Sequence, residues 1–195
     1  MEFAAGMEEA IRVGETFADD VEAAAYWCDG TPDVPFEDVT YAGAEDQPQR
    51  ARLYRGAPDA PVLLFIHGGG WAGGSIELHE PASKGLVQES GWNVLSISYR
   101  LAPTHPYPAG LKDCVAAYHW LQSNGADFGL TTDQIALGGA SAGANLAIAA
   151  ALALPAGSAA GLVLYYGVFG GQTDTASYLT YQNGPGLTQA RMAEL

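Results

Sequence analysis

The run Pro61–Ile66, PVLLFI, is apolar at every position, and Gly161–Tyr166, GLVLYY, repeats the pattern. A strand with one face in water alternates polar and apolar residues, whereas a run without a polar position must be covered on both faces. Asn93–Tyr99 and Gln134–Leu137 read as further buried strands. Between these runs lie His79–Ser90, Ala109–Asn124 and Ala142–Leu154, which read as helices, the last rich in strong helix formers. Strands alternating with helices build a mostly parallel sheet with helices packed on its faces, so the fold class is α/β. Upstream, Phe36–Ala42 and Gln49–Tyr54 alternate in the manner of a hairpin, with Gly43–Pro48 as its turn. Met1–Asp29 reads as helical, with Phe17, Val21, Tyr26 and Trp27 on a docking face, and Thr31–Pro35 breaks it.

A chain of 195 residues, 48% hydrophobic and 15% charged, supports one domain with a sizeable core. Its net charge of −14 argues against nucleic acid or an anionic membrane as a partner. The longest apolar stretch, Leu146–Leu154, is too short to span a bilayer, and Pro155 interrupts it. The first residues lack a basic region followed by an apolar run, so no secretory signal is expected. Cys28 and Cys114 lack metal-ligand spacing and fit structural thiols in a reduced cytoplasmic setting.

The chemistry concentrates in two glycine-rich stretches. Gly139-Ala140-Ser141-Ala142-Gly143 matches G-x-S-x-G at a strand-to-helix turn, which makes Ser141 a candidate nucleophile. A serine on so sharp a turn needs neighbours without side chains, here with Gly138-Gly139 reversing the chain. The helix beginning at Ala142 aims free N–H groups at any anion formed beside it. His67-Gly68-Gly69-Gly70-Trp71 follows the strand PVLLFI directly. Consecutive glycines can turn their N–H groups outward, so Gly68, Gly69 and Gly70 together with Ala142 are the candidate oxyanion-hole donors. A rival reading exists, because Gly68–Gly73 also matches the dinucleotide fingerprint G-x-G-x-x-G. That reading requires a helix opening inside the motif.

The sequence resembles the hormone-sensitive-lipase-like branch of the α/β-hydrolase superfamily, the bacterial carboxylesterases and acetyl esterases. HGGGW at 67–71, YRLAPTHPYPAGLKDC at 99–114 and GGASAGANLA at 138–147 carry the resemblance. It implies an α/β-hydrolase core over residues 31–170, a helical cap contribution from residues 1–30, and the start of a cap insertion at 171–195. It also implies hydrolysis of small carboxylic esters through an acyl-enzyme on Ser141, with no metal or organic cofactor. Two positions depart from the family pattern, Ala140 where Asp is usual and Ala144 where Gly is frequent.

The larger departure concerns the triad, which in this fold runs Ser, then Asp or Glu, then His. His67, His79, His105 and His119 all precede Ser141, and the only acids after it are Asp174 and Glu194. The family continues through the rest of a cap and two further strands, so the fold is expected to be incomplete at its C-terminal side and its activity weak. His105, in the loop leaving the strand Asn93–Tyr99, lies on the same sheet edge as Ser141 and could substitute as the base; the alternative is that it serves a proline-rich structural turn. His67 is expected to orient the glycine loop, His79 and His119 to sit on helices, and Asp113 to pair with Arg100 or a backbone group. Trp71, Tyr166 and Phe169 are expected to wall a short acyl site. The competing classes are a ligand-binding protein of hydrolase fold without a base, and a nucleotide-dependent oxidoreductase. The uncharged run Gly161–Tyr166, left as an edge, is a candidate surface for self-association.

Overall fold

A computed structural model describes residues 33–183 and 187–194, together with Glu22 and Asp29. The helix expected over Met1–Asp29 falls almost wholly outside the described residues, as does Cys28. Six strands form one sheet: β1 (Phe36–Ala42), β2 (Pro48–Tyr54), β3 (Val62–Ile66), β4 (Asn93–Ile97), β5 (Ile135–Ala140) and β6 (Leu162–Tyr165). Their spatial order is β1-β2-β4-β3-β5-β6. The hairpin β1–β2 is antiparallel and joins β4 antiparallel, while β3, β4, β5 and β6 run parallel to one another. The helices are α1 (Glu80–Ser90), α2 (Ala109–Asn124), α3 (Ala142–Ala153), α4 (Ala176–Tyr181) and α5 (Gln189–Glu194).

Every residue of β3 and β4 is buried, as strands covered on both faces must be. The larger core cluster joins one sheet face, through Leu64, Ile66, Leu95 and Leu137, to Ala117 and Leu121 of α2 and Leu146 and Ala150 of α3. On the other face Leu63, Phe65 and Val94 pack with Val87 of α1. Helix α1 ends on Gly91 in the left-handed region, φ 71°, whose N–H returns to the Val87 carbonyl.

Two strands differ from expectation. Gly138 and Gly139 do not reverse the chain; β5 continues through them to Ala140, and the turn falls at Ser141. Their lack of side chains answers close approach instead. A Cβ on Gly138 would lie 2.7 Å from the Val163 carbonyl oxygen, and one on Gly139 would lie 2.5 Å from that of Ile66. Strand β6, apolar enough for burial on both faces, is the sheet edge among the described residues and is partly open, with Leu162 45% and Tyr165 41% exposed.

Candidate active site

Strand β5 delivers Ser141 to the turn at φ 54°, ψ −119°. A non-glycine residue at positive φ costs on the order of 1–3 kcal/mol and persists only where its surroundings hold it. Here the Ser141 N–H donates to the Tyr165 carbonyl at 2.9 Å, and its own carbonyl accepts from the Asn145 N–H at 3.2 Å. The flanking glycines are sterically required. A Cβ on Gly143 would lie 2.0 Å from the Ile66 oxygen and 2.5 Å from that of His67, while one on Gly139 would meet the Gly143 backbone at 2.5 Å. The start of α3 therefore presses on the end of β3. Ala140 and Ala144, the two departures from the family pattern, are both fully buried packing positions.

Strands β3 and β5 are parallel neighbours with Ile66 opposite Gly139, so the loops that follow them leave the sheet side by side. A Cβ on Gly68 would stand 3.2 Å from the Ser141 Cβ and 2.8 Å from the Ala140 oxygen. The loop turns through three positive φ values, 123° at Gly69, 60° at Gly70 and 58° at Trp71. Of the expected donors, Gly68 is corrected: its N–H donates to His79 Nε2 at 3.2 Å and is not available to a substrate. Among the described residues the N–H groups of Gly69 and Gly70 make no hydrogen bond, and Gly69 is exposed. The Ala142 N–H opens α3, where the first N–H groups of a helix lack intrahelical acceptors.

The histidines take separate places. His67 is buried and stacked on Tyr99 at 4.4 Å between ring centres, its Nδ1 lies 2.8 Å from the Gly68 oxygen, and the Tyr99 hydroxyl donates to its carbonyl at 2.9 Å. Burial pushes the Tyr99 phenol well above its usual range, which keeps it a neutral donor. His79 stands at the N-cap position of α1, His119 is exposed on α2, and His105 is exposed in the loop before α2. No hydrogen bond joins any of them to Ser141 among the described residues. Asp113 is fully buried and accepts from the Arg100 N–H, Nε and Nη2 and from the Ala44 N–H, so its role is structural.

The expected aromatic wall is dispersed. Trp71 lines a cavity of about 580 Å³ with Tyr99, His105, Tyr107 and Asn145. Phe169 lines another of about 400 Å³ with residues of α4 and α5, and Tyr166 a third of about 310 Å³ against α1. Sequence reasoning also missed Asn145, whose side chain donates to the Val168 carbonyl at 2.8 Å and ties α3 to the segment after β6. The dinucleotide reading fails on local geometry. Residues 69–73 form turns and bends, and the next helix opens only at Glu80.

A family model described as alpha/beta hydrolase fold matches residues 63–195. This chain belongs to that family. Among curated relatives, carboxylesterase NlhH of Mycobacterium tuberculosis is 39% identical over 130 residues, 65% of this chain and 41% of the relative. Lipase 2 of a Moraxella species is 38% identical over 122 residues, 58% of this chain and 28% of the relative. The chain thus spans less than half the length of these two relatives. The hyperthermophilic esterase of Pyrobaculum calidifontis superimposes at a TM-score of 0.84 with 28% identity, over 99% of this chain and 69% of that one. Esterase LipW from Mycobacterium marinum does so at 0.80 and 29% identity, over 99% and 62% respectively.

Proposed function

We propose that this chain carries the nucleophile and oxyanion hole of a carboxylic-ester hydrolase acting on small esters. The carrying observation is that Ser141, held at positive φ, abuts a glycine loop whose Gly69 and Gly70 N–H groups have no partner among the described residues. In the reaction Ser141 Oγ bonds to the ester carbonyl carbon and gives up its proton to solvent water, from which the leaving alkoxide takes one back on collapse. The negative charge that develops on the carbonyl oxygen is met by the N–H groups of Gly69, Gly70 and Ala142, each worth roughly 2.7–4 kcal/mol to the transition state. Collapse expels the alcohol, and water then releases the acyl group. Residues 31–170 make the core of this unit, with residues 1–30 contributing to a cap and residues 171–195 starting a cap insertion. The relatives named carboxylesterase and lipase support ester chemistry as the reaction class.

A second reading, a hydrolase-fold protein that binds without turning over, is favoured by one observation: the side-chain hydrogen bonds described for His67 and His79 go to backbone atoms of Gly68 and Ser75 and not to Ser141. A fluorophosphonate, which is attacked by serine and places its oxygen in the oxyanion hole, separates the two. Prolonged labelling at Ser141, slow for want of a neighbouring base but absent from Ser141→Ala and faster than at other serines, supports the hydrolase site; labelling of Ser141 no faster than of surface serines refutes it. Turnover of p-nitrophenyl acetate by the 195-residue chain is expected to fall on the order of 10⁶ below a complete serine hydrolase, the measured cost of losing the base in such an enzyme. A rate near one per second that vanished in Ser141→Ala would contradict this and direct attention to His105.

A further inference from the structure

We propose that His79 is a positioning residue for the oxyanion loop, its imidazole accepting the Gly68 N–H and so setting the peptides of Gly69 and Gly70 that follow. The inference rests on the hydrolase reading of that loop. Three glycines in succession give a backbone its greatest freedom, which is poor for a site whose value lies in preorganised donors. Gly68 cannot carry a side chain to lock itself, because a Cβ there would meet the Ala140 oxygen at 2.8 Å. Its N–H is buried just past the end of β3 and therefore requires an acceptor. The acceptor is His79 Nε2, at 3.2 Å.

Chemistry at the other ring nitrogen agrees. His79 Nδ1 faces the Ser75 carbonyl oxygen at 3.3 Å, and a carbonyl only accepts. The neutral tautomer with its proton on Nδ1 satisfies both contacts and leaves the Nε2 lone pair for Gly68. The ring is itself referenced to the sheet. The next residue, Glu80, is gripped by Arg52 Nη1 of β2 at 2.7 Å and by Lys84 Nζ at 2.9 Å. Arg52 is 8% exposed and also binds Asp38 of β1 at 2.7 Å. The His79 carbonyl in turn accepts from the Ser83 N–H and hydroxyl. The glycine loop, leaving a central parallel strand, is thus registered through His79 and Glu80 to the antiparallel hairpin.

The test uses the 195-residue chain labelled with nitrogen-15. Scalar coupling across the hydrogen bond between the Gly68 nitrogen and His79 Nε2 is expected, with Nδ1 protonated. His79→Ala should displace the Gly69 and Gly70 amide resonances and slow fluorophosphonate labelling of Ser141 about 10²-fold, the scale of a small misplacement of catalytic groups. His79→Gln, whose side-chain oxygen can accept the same N–H, should recover most of that rate. Absence of the coupling, a protonated Nε2, or a His79→Ala chain that labels like the unsubstituted protein would each overturn the proposal. So would a folded His79→Gln that labels as slowly as His79→Ala. Should neither variant fold, the coupling in the unsubstituted chain decides. If the unsubstituted chain does not label, the hydrolase reading fails, while the coupling and the Gly69 and Gly70 resonances still decide the role of His79.

Discussion

Replacing Gly143 by alanine sets two opposing effects on one methyl group. Gly143 is the second residue of α3, and on helix propensity alone alanine stabilises by about 1 kcal/mol. The new Cβ, however, would stand 2.0 Å from the Ile66 oxygen, where ordinary contact begins at 3.4 Å. Something must give by more than an ångström, and the obstacle is the backbone of β3, hydrogen-bonded to strands on both sides. Overpacking a core typically costs 1–3 kcal/mol, and a backbone that cannot rotate away places this case at the top of that range or above it. The net expectation is a loss of about 2 kcal/mol or more, which for a chain of this size lowers the melting temperature by roughly 4–8 °C. Gly85 is the internal control. It lies inside α1 with nothing within 4 Å of its would-be Cβ, so Gly85→Ala should raise stability by up to about 1 kcal/mol. Urea and thermal unfolding followed by tryptophan fluorescence measure both. Equal shifts in the two variants, or a Gly143→Ala protein as stable as its parent, would refute the claim that the glycine spacing answers backbone crowding.

Asp113→Asn should cost about 2–3 kcal/mol in the same unfolding assay, because it removes the charge of a fully buried carboxyl that accepts from Arg100 and leaves that guanidinium only the exposed Glu45. The hydrogen bond from Arg52 holds the Asp38 carboxyl below its ordinary value of 3.8. Its contribution is therefore present at neutral pH and lost as pH falls below 3.8 through the folded-state value. Asp38 is half-exposed, so solvent screening makes that contribution small; Asp38→Asn should flatten the acid limb of the stability curve slightly, and an unchanged limb would contradict the assignment. The outer edge of β6, Leu162–Tyr165, carries no charge, proline or bulge, so sedimentation should show self-association that Leu162→Lys reduces. A compact monomer at all concentrations would count against pairing through this edge.

Most of the sheet is legible in the sequence because burial on both faces leaves a signature in every residue, as it does in β3. The same logic overreaches at β6, whose composition records apolar character but not which faces are covered. Strand β5 reads three residues too short, since glycine is ambiguous: it marks a turn when φ must be positive and a close approach when it is not. At Gly138 and Gly139 the cause is the carbonyls of Val163 and Ile66, neither of them near in sequence. Ser141 is visible because the turn forces a fixed local spacing. The bond from Gly68 to His79 crosses a loop of no regular period, and nothing local distinguishes that histidine from an ordinary helix start. The dispersal of Trp71, Tyr166 and Phe169 has a similar origin, because their directions depend on β6 and the segments that follow it.

The crossing of α3 over the end of β3 bears on what a signature search registers. Gly139 and Gly143 are needed for two main chains to pass at contact distance, whatever stands between them. A descendant that had abandoned catalysis and exchanged its serine would still keep both glycines to keep its fold. In this architecture the outer letters of the pentapeptide report how two main chains pass, and are silent on the reaction proposed for the middle one.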